Sequence, residues 1–192
     1  MNRSCAVAVF AIITALFCAA QSDERITYKE LVITGGNDLS SSQIREVKDS
    51  VLGRPDTTEN LMDTARHALT AAFKSECYLN PDIELFSAFR KDGPADDVTL
   101  HATVKEGLRY SLRNFKVQWD QTIPTQQLAQ QLPLDAMRRG DCQGLNDVEN
   151  TVAQLYHDRG FPNVKVNVLI QPNGATRQFD LTLYVDQGSR AR

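Results

Sequence analysis

Histidines, cysteines and one aspartate cluster are the side chains in this sequence best suited to catalysis or metal binding. His67, His101 and His157 fall in three separate segments. No His-Glu-x-x-His, Gly-x-Ser-x-Gly or Cys-x-x-Cys spacing places them in a zinc, esterase or dithiol arrangement. Asp92, Asp96 and Asp97 crowd one loop, yet they lack the alternating oxygen ligands of a calcium loop, so a charged, soluble turn is expected. Arg109, Arg138 and Arg139 are expected to decorate a junction between two parts of the chain. No catalytic, cofactor-binding or metal-binding residue is therefore assigned, no cofactor is expected, and a non-enzymatic protein is the reading.

The cysteines say more about compartment than about reaction. After Arg3, residues 5–20 run "CAVAVFAIITALFCAA" without a charge, which is shorter than the roughly 20 apolar residues of a membrane-crossing helix. Small residues Cys18, Ala19 and Ala20 suit signal-peptidase cleavage after Ala20, making residues 1–20 a signal peptide, with an uncleaved anchor as the alternative. Phe17 is too bulky to precede a lipidated Cys18. An exported chain keeps Cys77 and Cys142, which an oxidising compartment allows to pair. The 192 residues carry 21 Lys and Arg against 24 Asp and Glu, and removing residues 1–20 takes away one arginine and no acid. This mildly acidic balance argues against a nucleic-acid partner and against a polybasic lipid patch.

The elements that hold these residues are written twice. Val98, Leu100, Ala102 and Val104 alternate with polar residues, as in a strand with one buried face, and an offset of 81 gives Phe179, Leu181, Leu183 and Val185. Both strands lead into a similar phrase, "VKEG" and "VDQG", with Gly107 and Gly188 as joints. Each is preceded by a hairpin partner, "PDIELFSAF" and "NVKVNVLI", and Asn173-Gly174 in the connecting "QPNGATRQ" signals the turn of the second hairpin. Further upstream, Leu61, Ala65, Leu69 and Ala72 follow helical spacing, and an offset of 83 gives Gly144, Val148, Val152 and Leu155. A shorter helix comes before each of these. Ser40-x-x-Gln43 reads as a capping box for the first, while Pro124 opens and Pro133 stops the second. Each unit begins with a strand, "YKELVIT" and "LRNFKVQW". The expected fold is α+β: two tandem β-α-α-β-β modules, residues 26–106 and 107–189, each a three-stranded mixed sheet with two helices on one face, followed by a tail at 190–192.

This order resembles the POTRA (polypeptide-transport-associated) domain. The second copy carries the resemblance best, through "FKVQW", "LPLDAMRRGDCQGLNDVENTVAQLYHDRGFPNVKVNV" and "FDLTLYVDQG"; the first departs at "SECYLNP", where Cys77 stands in place of Gly160. The resemblance implies a periplasmic location, peripheral to the outer membrane, and a scaffold role in outer-membrane protein assembly or polypeptide transport. Its partner would be an outer-membrane barrel or an unfolded outer-membrane client. It also implies that the second strand of each module is an open edge for an added peptide strand: Ile83, Glu84, Leu85, Phe86 and Ser87 in one, and Val164, Lys165, Val166, Asn167, Val168 and Leu169 in the other. Ile83, Leu85, Val164, Val166 and Val168 are expected to face inward, with Phe86 or Leu169 on the open face. Following chain direction through the two units brings Cys77 at the top of one near Cys142 at the base of the next, so either a disulfide across the hinge or two separate thiols is expected. Division-site and cell-envelope scaffolds, which carry a POTRA-like module, are the alternative. The sequence stops where a further module or a barrel would begin, as expected of a free-standing adaptor or of the N-terminal part of a longer barrel protein.

Overall fold

The structure, a computed structural model, describes residues 25–89, 98–119 and 122–190. The proposed signal peptide and the aspartates at 92, 96 and 97 lie outside the described residues. The first half begins with β1 (Arg25–Ile26) and β2 (Tyr28–Thr34), continues through α1 (Ser41–Val51), β3 (Asp56–Thr57) and α2 (Thr58–Ser75), and closes with β4 (Asp82–Phe89) and β5 (Val98–Lys105). The capping box forms as the sequence specifies. The Ser40 side chain accepts from the Gln43 amide while the Gln43 side chain accepts from the Ser40 amide, satisfying two amides that the first helical turn leaves without partners. Thr57 caps α2 in the same manner through the Asn60 amide. Leu61, Ala65, Leu69, Ala72 and Phe73 form the buried stripe of α2 and pack with Val47 and Val51 of α1 on Leu31, Leu100 and Ala102 of the sheet. The sheet order is β2-β5-β4, with β2 parallel and β4 antiparallel to β5. The small antiparallel pair β1-β3 was not expected, because two residues are too few to show a period.

The second half repeats this plan with β6 (Ser111–Gln118), α3 (Thr125–Gln131), α4 (Leu134–Arg138), α5 (Val148–His157), β7 (Lys165–Asn173) and β8 (Gln178–Asp186), in sheet order β6-β8-β7. Two details differ from the expected pattern. Pro133 ends α3 but then serves as the N-cap of α4, so the first helix is in two pieces. Gly144 lies outside α5; a Cβ there would sit 2.5 Å from the Pro133 ring. The buried stripe of α5 is therefore Val148, Val152 and Tyr156, one residue beyond the expected Leu155, which stays half-buried. The second hairpin turns where Asn173-Gly174 marked it. Asn173 ends β7 and its side-chain oxygen accepts from the amides of Ala175 and Thr176, so the turn runs over 174–177 and its left-handed residue is Arg177, at φ 52°. Burial of Phe179, Leu181, Leu183 and Val185 along β8 anchors the second core, at about 1.5–3 kcal/mol per large side chain.

Candidate functional site: two open strand edges and the joint between the sheets

In both sheets the last strand of that half of the chain is central and its hairpin partner is outer. β4 pairs with β5 from Asp82↔Lys105 to Phe89↔Val98, and no strand among the described residues borders its other side. Ile83 is buried, Leu85 is half-buried, and Glu84 is exposed. Phe86 stands 52% exposed on the sheet face away from the helices, where its ring stacks on His101 at 4.8 Å between centroids. Ser87 faces inward and its hydroxyl hydrogen-bonds with that of Tyr28. One acceptor near the start of β4 is already engaged, since Arg66 of α2 donates to the Ile83 carbonyl at 2.6 Å.

β7 is outer in the same way. Val166 is buried and Val168 half-buried, whereas Lys165, Asn167 and Leu169 are exposed, Leu169 by 38%. Val164 precedes the strand rather than belonging to it, half-buried, its amide donating to the Phe161 carbonyl at 3.4 Å. Pro172 lies within β7 opposite Phe179. It has no N–H to give to a ladder, and such a residue is tolerated on an outer strand.

The two sheets meet at a joint built by the end of α2, the phrase after β5 and the turn between α4 and α5. The amides of Cys77 and Tyr78 close α2 on the carbonyls of Lys74 and Phe73; those of Gly160 and Phe161 close α5 on His157 and Tyr156 in the same pattern. This cap needs a left-handed residue, and Cys77 has φ 64° where Gly160 has φ 86°. Cys77 and Cys142 form a disulfide with their Cα atoms 5.2 Å apart, both fully buried. Around it the Cys142 amide donates to the Ser75 carbonyl (3.1 Å) and the Tyr110 amide to the Cys77 carbonyl (2.9 Å). Asn146 Nδ2 reaches the Ala71 carbonyl at 2.9 Å. Arg109 pairs with Glu76 at 3.5 Å and donates to the Gly140 carbonyl at 3.0 Å. Arg138 does not join in; its partner is Asp135 on its own helix. Gly107 and Gly188 are both left-handed, and a Cβ on either would press on a backbone carbonyl, Asn80 at 3.3 Å and Asn163 at 3.0 Å.

Electrostatics at these places is structural. A hydrogen bond to Asp38, then burial, pushes the Tyr78 phenol up to about 12. The hydrogen bond from Arg113 holds the Asp180 carboxyl below the usual carboxylate range. His67 and His157 are exposed on their helices, and His101 faces out from β5 onto Phe86. Among the described residues no group of three or more His, Cys, Asp or Glu side chains could hold a metal, and no helix is long and apolar enough to cross a membrane.

One feature escaped the sequence reading. Trp119, 72% exposed, has φ 80° and packs its ring on Tyr184 at 4.8 Å between centroids. The offset of 84 relating the first strands pairs it with Gly35, which has φ 84°. That pairing was available in the sequence as a glycine replaced by tryptophan.

No family model and no curated protein matches the chain. Solved structures do. POTRA domains 3–5 of BamA from Haemophilus influenzae are 21% identical, with a TM-score of 0.57 over 86% of this chain and 68% of that one. BamA from Haemophilus ducreyi lacking POTRA domains 1–3 is 13% identical, with a TM-score of 0.56 over 84% of this chain. The chain spans 29% of the length of the latter. At these identities the likeness establishes the fold: each half of the chain has the POTRA architecture, and the two stand in tandem.

Proposed function

We propose that this tandem of POTRA-fold modules, bounded at 26–106 and 107–189, is a non-enzymatic periplasmic scaffold that takes up extended polypeptide as an added strand along β4 and β7. The observation that carries the reading is the pair of open outer strands. An outer strand offers unpaired N–H and C=O groups that give a peptide main-chain affinity, while exposed side chains beside it set preference. Phe86 and Leu169 occupy that place on the two sheets. The partner this suits is an unfolded outer-membrane client or a barrel protein at the outer membrane, reached by a chain exported through its leader at 1–20. The BamA likeness supports this reading through the fold.

Photo-reactive residues placed at positions 86 and 169 in the native envelope test it, with captured partners identified by mass spectrometry. Capture of a barrel or of unfolded barrel strands is expected at both. In solution, peptides copying barrel strands should shift amide resonances along β4 or β7, and the same peptides N-methylated at alternate residues should not. Capture of division or cell-wall proteins, with no response of either strand to the peptides, would replace this reading with the envelope-scaffold one.

A further inference from the structure

We infer that the Cys77–Cys142 bond is a conformational lock that makes the angle between the two modules depend on oxidation: the disulfide form moves as one rigid body, and the dithiol form hinges. The inference goes beyond the binding role and does not depend on it. It starts from a comparison of the two copies. At the cap ending its long helix the second module has Gly160, and the first has Cys77 in the same left-handed conformation with the same hydrogen bonds. At the turn between helices the first module has Pro55 two residues after left-handed Gly53, and the second has Cys142 two residues after left-handed Gly140. Neither position needs a cysteine to form the module, since its twin does without one. Glycine is also the natural residue for the cap that Cys77 occupies. The two sulfurs are additions that meet only across the joint.

What else holds the joint is thin. Among the described residues the polar contacts include the Cys142–Ser75 and Tyr110–Cys77 backbone bonds, the Tyr78–Arg109 bridge, the Asn146 amide on Ala71 and the Arg109 contacts with Glu76 and Gly140, the last three made by side chains that are exposed or partly so. Interfaces between domains allow relative motion unless they are large and apolar. Leu79 of the first half packs into the second core beside the disulfide, but that apolar contact follows directly from the chain segment the bond restrains. Closing the bond passes two electrons and two protons to a disulfide oxidant. One cysteine thiolate attacks the oxidant's disulfide and expels one of its sulfurs, the other cysteine attacks the protein sulfur of the resulting mixed disulfide and expels the second, and the oxidant leaves as two thiols that carry the two protons. With both cysteines at 0% exposure the finished bond is sealed. The lock is set while the modules dock and reopens only when the joint does.

The test measures distance distributions by pulsed electron resonance, with spin labels carried on non-natural residues at exposed Asp49 and Glu149, one in each module. The oxidised protein is compared with a Cys77→Gly/Cys142→Ala variant in which the cap receives its twin's residue. A single narrow distribution is expected for the oxidised chain, and one about twofold broader or more for the variant, with amide spectra showing both modules folded. The wild-type chain reduced in mild denaturant and returned to buffer with reductant present, its thiols left unmodified, gives the same comparison if the variant does not fold. Equal widths in the two forms would overturn the inference, as would a broad distribution in the oxidised chain. Dithiothreitol should leave the bond intact in the native protein and cleave it once urea opens the joint. Rapid cleavage without urea would overturn the sealed lock.

Discussion

Replacing Cys77 separates two effects that coincide in one residue. The disulfide closes a loop between positions 65 residues apart, and the chain-entropy model gives such a crosslink about 4 kcal/mol of stabilisation. Against this stands the left-handed backbone of Cys77, at φ 64°, which costs an L-residue about 1–2 kcal/mol that glycine avoids. With Cys142→Ala as the common background, Cys77→Ala loses the bond and keeps the strain, while Cys77→Gly loses the bond and relieves it. The expected losses relative to the oxidised protein are about 4 and about 3 kcal/mol, so the glycine variant is the more stable by about 1 kcal/mol even though glycine is the more flexible residue when unfolded. Urea denaturation followed by far-ultraviolet circular dichroism measures the order. Trp119 is the one tryptophan in the sequence and reports on the second module alone. In both variants its emission should depart from the dichroism transition as the modules cease to unfold together. If the alanine variant equals or exceeds the glycine variant, the left-handed cap is not imposed by the fold and Cys77 carries no strain that Gly160 avoids.

Gly35 and Gly53 offer a matched pair at φ 84° and 72°. A Cβ at Gly35 would sit 2.2 Å from the Val104 carbonyl oxygen and one at Gly53 would meet nothing within 4 Å, so Gly53→Ala should cost about 1 kcal/mol and Gly35→Ala about 3 or more by urea denaturation. Phe86→Ser removes an exposed ring that stacks on His101; stability should change by less than about 1 kcal/mol, while peptide-induced amide shifts along β4 should weaken. The Tyr78 phenol, raised by Asp38, contributes stability that is complete below its unfolded value near 10 and is lost as pH rises through about 12. Asp38→Asn should flatten that alkaline decline in pH-resolved unfolding curves.

Much of this fold was legible because each half states it independently. Val98 to Val104 and Phe179 to Val185 place their apolar residues at every second position since each strand is central and turns one face to the core, although on β8 Thr182 of the opposite face is buried as well. Ser40 and Gln43 marked a helix start because the box satisfies specific backbone donors. The misreadings fall where local chemistry has two uses. Proline can stop one helix and open another, as Pro133 does. Transferring the spacing of α2 onto α5 placed Leu155 inward, but α5 begins only at Val148 and turns Tyr156 to the core instead. The outer position of β4 and β7 is a property of strand order, which periodicity within a strand does not encode; it entered through the resemblance. The segment "LRNFKVQW" includes Trp119 as its last residue, but the strand ends at Gln118 and Trp119 takes the left-handed backbone of its twin Gly35, which an apolar residue at a strand end does not announce.

Comparison of the copies also separates what folds the module from what distinguishes one module from the other. Asp82 opposes Lys105 across the first hairpin, with their charged groups 3.2 Å apart, and at the matching place in the second hairpin Lys165 opposes Asp186 with the charges exchanged. Opposite charges face each other in the register of both hairpins and their polarity is free, as expected of an exposed cross-strand position contributing less than about 1 kcal/mol in either orientation. The unlike positions behave otherwise. Gly35 against Trp119, Cys77 against Gly160 and Pro55 against Cys142 are changes of kind. At two of these the bulky residue accepts a left-handed backbone that its twin leaves to glycine, Cys77 at φ 64° and Trp119 at φ 80°. Strain kept in one copy and absent from the other is not a requirement of the architecture, so it points to a task the other copy does not share. For Cys77 the structure shows that task in the bond to Cys142. By the same reasoning the pole of the second sheet that carries Trp119 against Tyr184 is where the second module's own role should be sought.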